Sequence, residues 1–131
     1  ISSADIIYIV SRYIDKRYKK EGEVMPEAQG ALTEAVFYIL LSLTQPMHGY
    51  GIMQNVNELS RGRVVLGAGT LYGAINTLLE KGWITPYGGP PGERRKEYII
   101  TPAGRRAVEA EIARLSELLE NGRRVLEGAE Q

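Results

Sequence analysis

Hydrophobic positions recur along this chain in steps of three and four, and glycine or proline interrupts them often enough to mark out a succession of short helices. Ile6, Val10, Ile14 and Tyr18 fall four residues apart and predict an amphipathic helix near the start, ending among lysines that complement its dipole. The stretch from Glu21 to Gly30, with Gly22 and Pro26, reads as a linker. Val36, Leu40 and Leu43 predict a helix over about residues 33 to 43, stopped before Pro46. Ile52, Val56 and Leu59 predict the next, over about 49 to 59, and Gly62 breaks it. A third opens on Gly67-Ala68-Gly69, turns Leu71, Ile75, Leu78 and Leu79 inward, and stops at Gly82. Two short β-prone runs follow, at 83 to 87 and 96 to 101. Gly88-Gly89-Pro90-Pro91-Gly92 lies between them, so they predict a hairpin with an irregular tip. Helix restarts at Thr101-Pro102-Ala103, because proline suits a first helical position. Beyond it Val108, Ile112, Leu115, Leu119, Gly122 and Leu126 alternate four and three apart, the spacing of a short coiled-coil seam.

This order predicts a mainly α fold with a small β-hairpin wing: a winged helix-turn-helix domain over 29–104, preceded by a helix and linker over 1–28 and followed by a dimerisation helix over 105–131. The last helix has no core of its own to bury its seam against, so a homodimer is expected through Val108, Ile112, Leu115, Leu119 and Leu126. The N-terminal stripe of Ile6, Val10 and Ile14 is expected to widen that interface.

The third helix carries the most chemistry. Opposite its apolar stripe stand Thr70, Gly73, Asn76, Thr77 and Glu80, the first four small or amide-bearing, so that face can approach base edges without steric conflict. Tyr72 flanks the apolar face, where its hydroxyl can reach a phosphate while its ring packs. Arg94, Arg95 and Lys96 follow the wing tip and suit backbone or minor-groove contact. Arg61 and Arg63 read equally as phosphate contacts or as an ordinary loop.

Composition narrows the choice. With 16 basic and 16 acidic residues the formal net charge is zero, which argues against gripping nucleic acid by bulk charge and leaves any affinity to local patches. A winged module that binds protein instead of DNA is the alternative such a balance permits. The chain has no cysteine, which fits a cytoplasmic setting, and a single histidine, so no metal, cofactor or enzymatic constellation is expected. His48 suits a cap on the following helix, and Trp83 the core at the helix-to-strand junction. No apolar run approaches the roughly 18 residues of a membrane span.

Four motifs, taken in order, are similar to those of one family. His48-Gly49-Tyr50-Gly51-Ile52, Gly69-Thr70-Leu71-Tyr72, Leu79-Glu80-Lys81-Gly82-Trp83-Ile84 and Arg95-Lys96-Glu97-Tyr98-Ile99-Ile100-Thr101-Pro102-Ala103-Gly104 resemble the PadR family of bacterial transcriptional regulators. The resemblance implies a homodimeric winged-helix repressor on an inverted-repeat, double-stranded DNA operator, often released by a small-molecule effector. It adds Tyr50 and Gly69 to the residues expected at DNA. Two positions depart from the pattern: Gly73 stands where the family commonly has proline, and Glu97 where it commonly has the first of two tyrosines. Residues before about Glu27 lie outside the resemblance.

Overall fold

The computed structural model describes residues 30–88 and 96–129. Thr33 starts the first helix, α1 (Glu34–Ser42), by accepting a hydrogen bond from the Val36 amide at 3.1 Å. A two-residue strand, β1 (Met47–His48), leads into α2 (Gly49–Leu59), whose N-cap is His48: its Nδ1 accepts from the Gly51 amide at 3.3 Å. The sole histidine therefore acts as a helix cap. A turn joins α2 to α3 (Ala68–Glu80), and the wing follows as β2 (Ile84–Tyr87) and β3 (Glu97–Ile100) before α4 (Pro102–Ala129).

Residues Leu32–Val108 form one compact unit. Ile39, Leu40, Leu43, Ile52, Val56, Leu71, Ile75, Leu78 and Ile84 are almost wholly buried in it. One polar chain threads this core: Asn55 Nδ2 donates to Ser42 Oγ at 2.9 Å, and Ser42 Oγ donates to the Tyr38 carbonyl at 2.8 Å. The buried Ser42 hydroxyl is thus satisfied as both donor and acceptor.

Three expectations about the core shift. Leu79, expected inward, is only half-buried. Val36 is only half-buried: it shares a face with buried Ile39 and Leu40 but sits in the first turn of α1, at the edge of the core. Leu59, expected inward, is 45% exposed; it shares a face with Ile52 and Val56 but sits in the last turn of α2, where the chain leaves the core.

The sheet has three strands in the order β1-β3-β2, all antiparallel. Tyr98 pairs with Met47 on one side and Pro86 on the other, while Glu97 pairs with His48 and Tyr87. Beyond the strands, the Ile100 amide donates to the Leu43 carbonyl at 2.7 Å and continues the link from β3 to α1. The mainly α architecture with this small sheet is the winged helix-turn-helix expected from the pattern.

The start of α4 is fastened to the end of α3. Thr101 Oγ1 donates to the Gly82 carbonyl at 2.6 Å and accepts from the Gly104 amide at 3.1 Å, while the Thr101 amide donates to the Trp83 carbonyl at 2.9 Å. Gly104 allows this approach: a Cβ there would lie 2.1 Å from the Trp83 carbonyl oxygen. Trp83 is half-buried, with Lys81 Nζ 4.6 Å from its ring centroid.

A second compact unit contains α4 from Glu109 onward. Glu111 is buried there and accepts from Arg114, with Nη2 to Oε2 at 3.1 Å; that hydrogen bond raises the Arg114 pKa above its ordinary value. No helix among the described residues is long and apolar enough to cross a membrane.

Candidate nucleic-acid interface

The surface opposite the core stripe of α3 is built by helical periodicity. Leu71, Ile75 and Leu78 are buried, so Thr70, Gly73, Asn76, Thr77 and Glu80 necessarily share the outward side, and all five are exposed. Gly73 lies at the middle of this side, with Asn76 to one flank and Thr77 and Thr70 to the other. Thr77 Oγ1 donates back to the Gly73 carbonyl at 3.2 Å. Gly69 is exposed one turn earlier, and a Cβ at either glycine would meet nothing within 4 Å. The chain's own packing therefore does not require glycine at either position.

The start of α3 is bare. Its N-cap is Gly67 in extended conformation, with no side-chain cap. Val65, two residues earlier, is 74% exposed between half-buried Val64 and buried Leu66. Val64-Val65-Leu66 is apolar throughout, so the sequence carries no signal of which of the three faces solvent.

Two tyrosines border the same region. Tyr50 is exposed in the first turn of α2. Tyr72 is 50% exposed, and its hydroxyl lies against the first residue of α2: a Cβ added to Gly49 would come within 2.6 Å of Tyr72 Oη. Its ring thus packs across the α2–α3 junction while its edge remains in solvent.

The cations divide into three cases. Arg61 is exposed in the turn and holds a positive φ of 54°, followed by Gly62 at 79°. Arg63 Nη2 lies 2.8 Å from Glu34 Oε1 at the start of α1, a partner 29 residues away in sequence. Both side chains are well exposed, so this pair contributes about 0–1 kcal/mol and is readily exchanged for another anion. Lys96 is exposed just before β3, whereas Arg94 and Arg95 lie outside the described residues.

On α4, Val108 is buried and Ile112 half-buried within the single chain, so the open part of the seam begins at Leu115. Leu115, Leu118, Leu119, Val125 and Leu126 are exposed, with Leu119 at 55%. Leu118 and Val125 add a flank that the four-and-three spacing did not include. Ile6, Val10 and Ile14 lie outside the described residues.

Residues 37–110 match the family model of the transcriptional regulator PadR-like family, over half of the chain. This chain belongs to the PadR-like family of transcriptional regulators. A transcriptional regulator from Clostridium thermocellum is similar in structure, with a TM-score of 0.53 and 26% identity over 72% of this chain and 89% of that one. A PadR family transcriptional regulator from Eggerthella lenta superposes at a TM-score of 0.56 over 95% of this chain and 94% of its own, at 20% identity, which speaks to the fold. BpsR of Bordetella bronchiseptica, whose DNA binding is regulated by 6-hydroxynicotinic acid, shares the fold at a TM-score of 0.52 and 18% identity, over 90% of this chain and 83% of its own. In sequence, an uncharacterized 37.1 kDa protein in transposon TN4556 of Streptomyces fradiae is 37% identical over 87 residues. That match takes 63% of this chain and 24% of the relative, so the chain spans about a quarter of that protein's length. The PadR-like family is one of regulators that act on DNA and not of enzymes, and the described residues hold no group of acidic, histidine or cysteine side chains suited to a metal.

Proposed function

We propose that this PadR-like chain is a repressor that binds a palindromic operator as a homodimer, with one α3 helix in each of two major grooves and the wings on flanking backbone. The observation that carries this reading is the outward side of α3: small residues, one amide and two hydroxyls over a firmly packed stripe of Leu71, Ile75 and Leu78. In this reading the winged domain spans residues 29–104. Lys96, Arg94, Arg95 and Arg61 supply phosphate contacts that a neutral chain must draw from local patches, and Arg63 joins them by exchanging Glu34 for phosphate.

Pairing of the helix over 105–131 supports the dimer, since Leu115, Leu119 and Leu126 present an apolar stripe to water. The helix expected ahead of the linker within residues 1–28 adds to that interface. Two-fold symmetry then sets half-sites about 10 bp, or a multiple of it, apart. Seated over a promoter in the cytoplasm, such a dimer excludes polymerase. A small effector that alters the angle between the two wings lowers specific affinity by spoiling that spacing, and regulation of BpsR by 6-hydroxynicotinic acid is a precedent within the fold.

Selection of bound fragments from random duplex DNA tests the reading. The expected product is an inverted repeat bound with an affinity that falls steeply with salt. Failure to retain duplex DNA at low salt would instead favour a winged module that binds protein.

A further inference from the structure

The outward side of α3 carries no cation. From Ala68 to Glu80 the helix contains neither lysine nor arginine, and every residue of it is described. The commonest way a protein specifies guanine in the major groove is a bidentate arginine or lysine on O6 and N7, and this helix has no side chain that can do it. What it has is Asn76, exposed beside Gly73, and an amide pairs in bidentate fashion with adenine, accepting from N6 and donating to N7.

The hydroxyls point the same way. Thr77 Oγ1 spends its proton on the Gly73 carbonyl, so toward DNA it offers lone pairs alone. It can accept from the exocyclic amine of adenine or cytosine, but it cannot donate to the O6 and N7 acceptors of guanine. Thr70 offers a hydroxyl that can either donate or accept, so it discriminates weakly between bases. Glu80, the one charged group of the outward side, accepts from cytosine N4 but lies in the last turn, away from the N-terminal end that meets base edges in helix-turn-helix docking.

We propose that α3 reads adenine through Asn76 and makes no bidentate contact to guanine, so that the operator base pair beneath Asn76 is specified as A·T. This inference rests on α3 being the element that enters the major groove. Arginines of the turn and wing hold phosphates and leave the bases under α3 to this neutral set.

The test uses the full chain and a duplex carrying the inverted repeat it selects, rebuilt with 7-deazaadenine at every adenine or with 7-deazaguanine at every guanine. Each analogue removes only the N7 acceptor from its base. The adenine analogue is expected to weaken binding on the order of ten-fold or more, and the guanine analogue to leave it within about two-fold. Asn76→Ala should bind the unmodified duplex more weakly and respond no further to 7-deazaadenine, which separates loss of a contact from a change in DNA shape. A guanine effect as large as the adenine effect, or an adenine effect that persists in Asn76→Ala, overturns the proposal. A chain that selects no fragment at all overturns the operator reading itself, and the adenine assignment with it.

Discussion

Replacing Gly73 with alanine should make the protein more stable and a poorer binder of its operator. Gly73 is the sixth of thirteen residues in α3, well inside the helix, and its φ is not positive. An added Cβ meets no atom within 4 Å, so the substitution introduces no clash. Glycine in a helix interior costs about 0.8–1.0 kcal/mol relative to alanine, partly through the freedom of the unfolded chain. Recovering most of that in a unit of this size raises Tm by about 4 °C or more. At the DNA surface the same methyl projects about 1.5 Å farther from the backbone. A helix with its side chains is about 10–12 Å across and the major groove about 12 Å wide, so little slack exists to absorb it. Displacing one good base contact costs about 1–3 kcal/mol, on the order of ten-fold or more in affinity. Thermal unfolding and fluorescence anisotropy on the selected operator measure the two effects side by side. A lower Tm would show that the outward side of α3 is packed after all. A higher Tm with unchanged operator affinity would show that the middle of α3 does not approach DNA closely.

Thr101→Val keeps the shape of the side chain but loses both the bond to the Gly82 carbonyl and the cap on the Gly104 amide, so urea denaturation should register a loss of about 1–2 kcal/mol. Gly104→Ala should be worse than that, because its Cβ would overlap the Trp83 carbonyl oxygen and the obstacle is backbone; a Tm equal to that of the wild type would contradict the close packing of α4 on the α3–β2 junction. The double change Leu115→Asp and Leu119→Asp should yield a monomer in analytical ultracentrifugation and lower operator affinity with it, since four carboxylates would crowd a two-fold seam. A mutant that stays dimeric would move the interface off this part of α4.

Helical elements were legible because their signals are local. The stripe of Leu71, Ile75 and Leu78 between Gly67 and Gly82 gave α3 and its outward side together, and Thr101-Pro102 marked the start of α4. The strand β1 was not legible: two residues after Pro46 have no periodicity, and their strand character exists only through pairing with β3, about fifty residues on. The ion pair of Arg63 with Glu34 was hidden for the same reason, since nothing near either residue predicts the other. Leu59 shows the opposite failure: periodicity assigns a face to a residue but not how far along the helix that face remains covered.

The row His48–Glu97–Tyr87 across the sheet separates what evolution can vary in this wing from what it cannot. A slip of one residue in β3 would turn buried Tyr98 and Ile100 to the other side of the sheet and, through β1, disturb the backbone that precedes the His48 cap. The root of the wing is therefore locked to the second helix. The sequence between β2 and β3 connects two strands whose register is already set, and doubling the length of such a connection costs only about 0.6 kcal/mol in closure entropy. In the proposed complex with DNA, insertions between β2 and β3 lengthen, shorten or recharge the reach along the backbone while α3 keeps its place, which makes this connection the natural site for redesigning affinity without redesigning sequence preference.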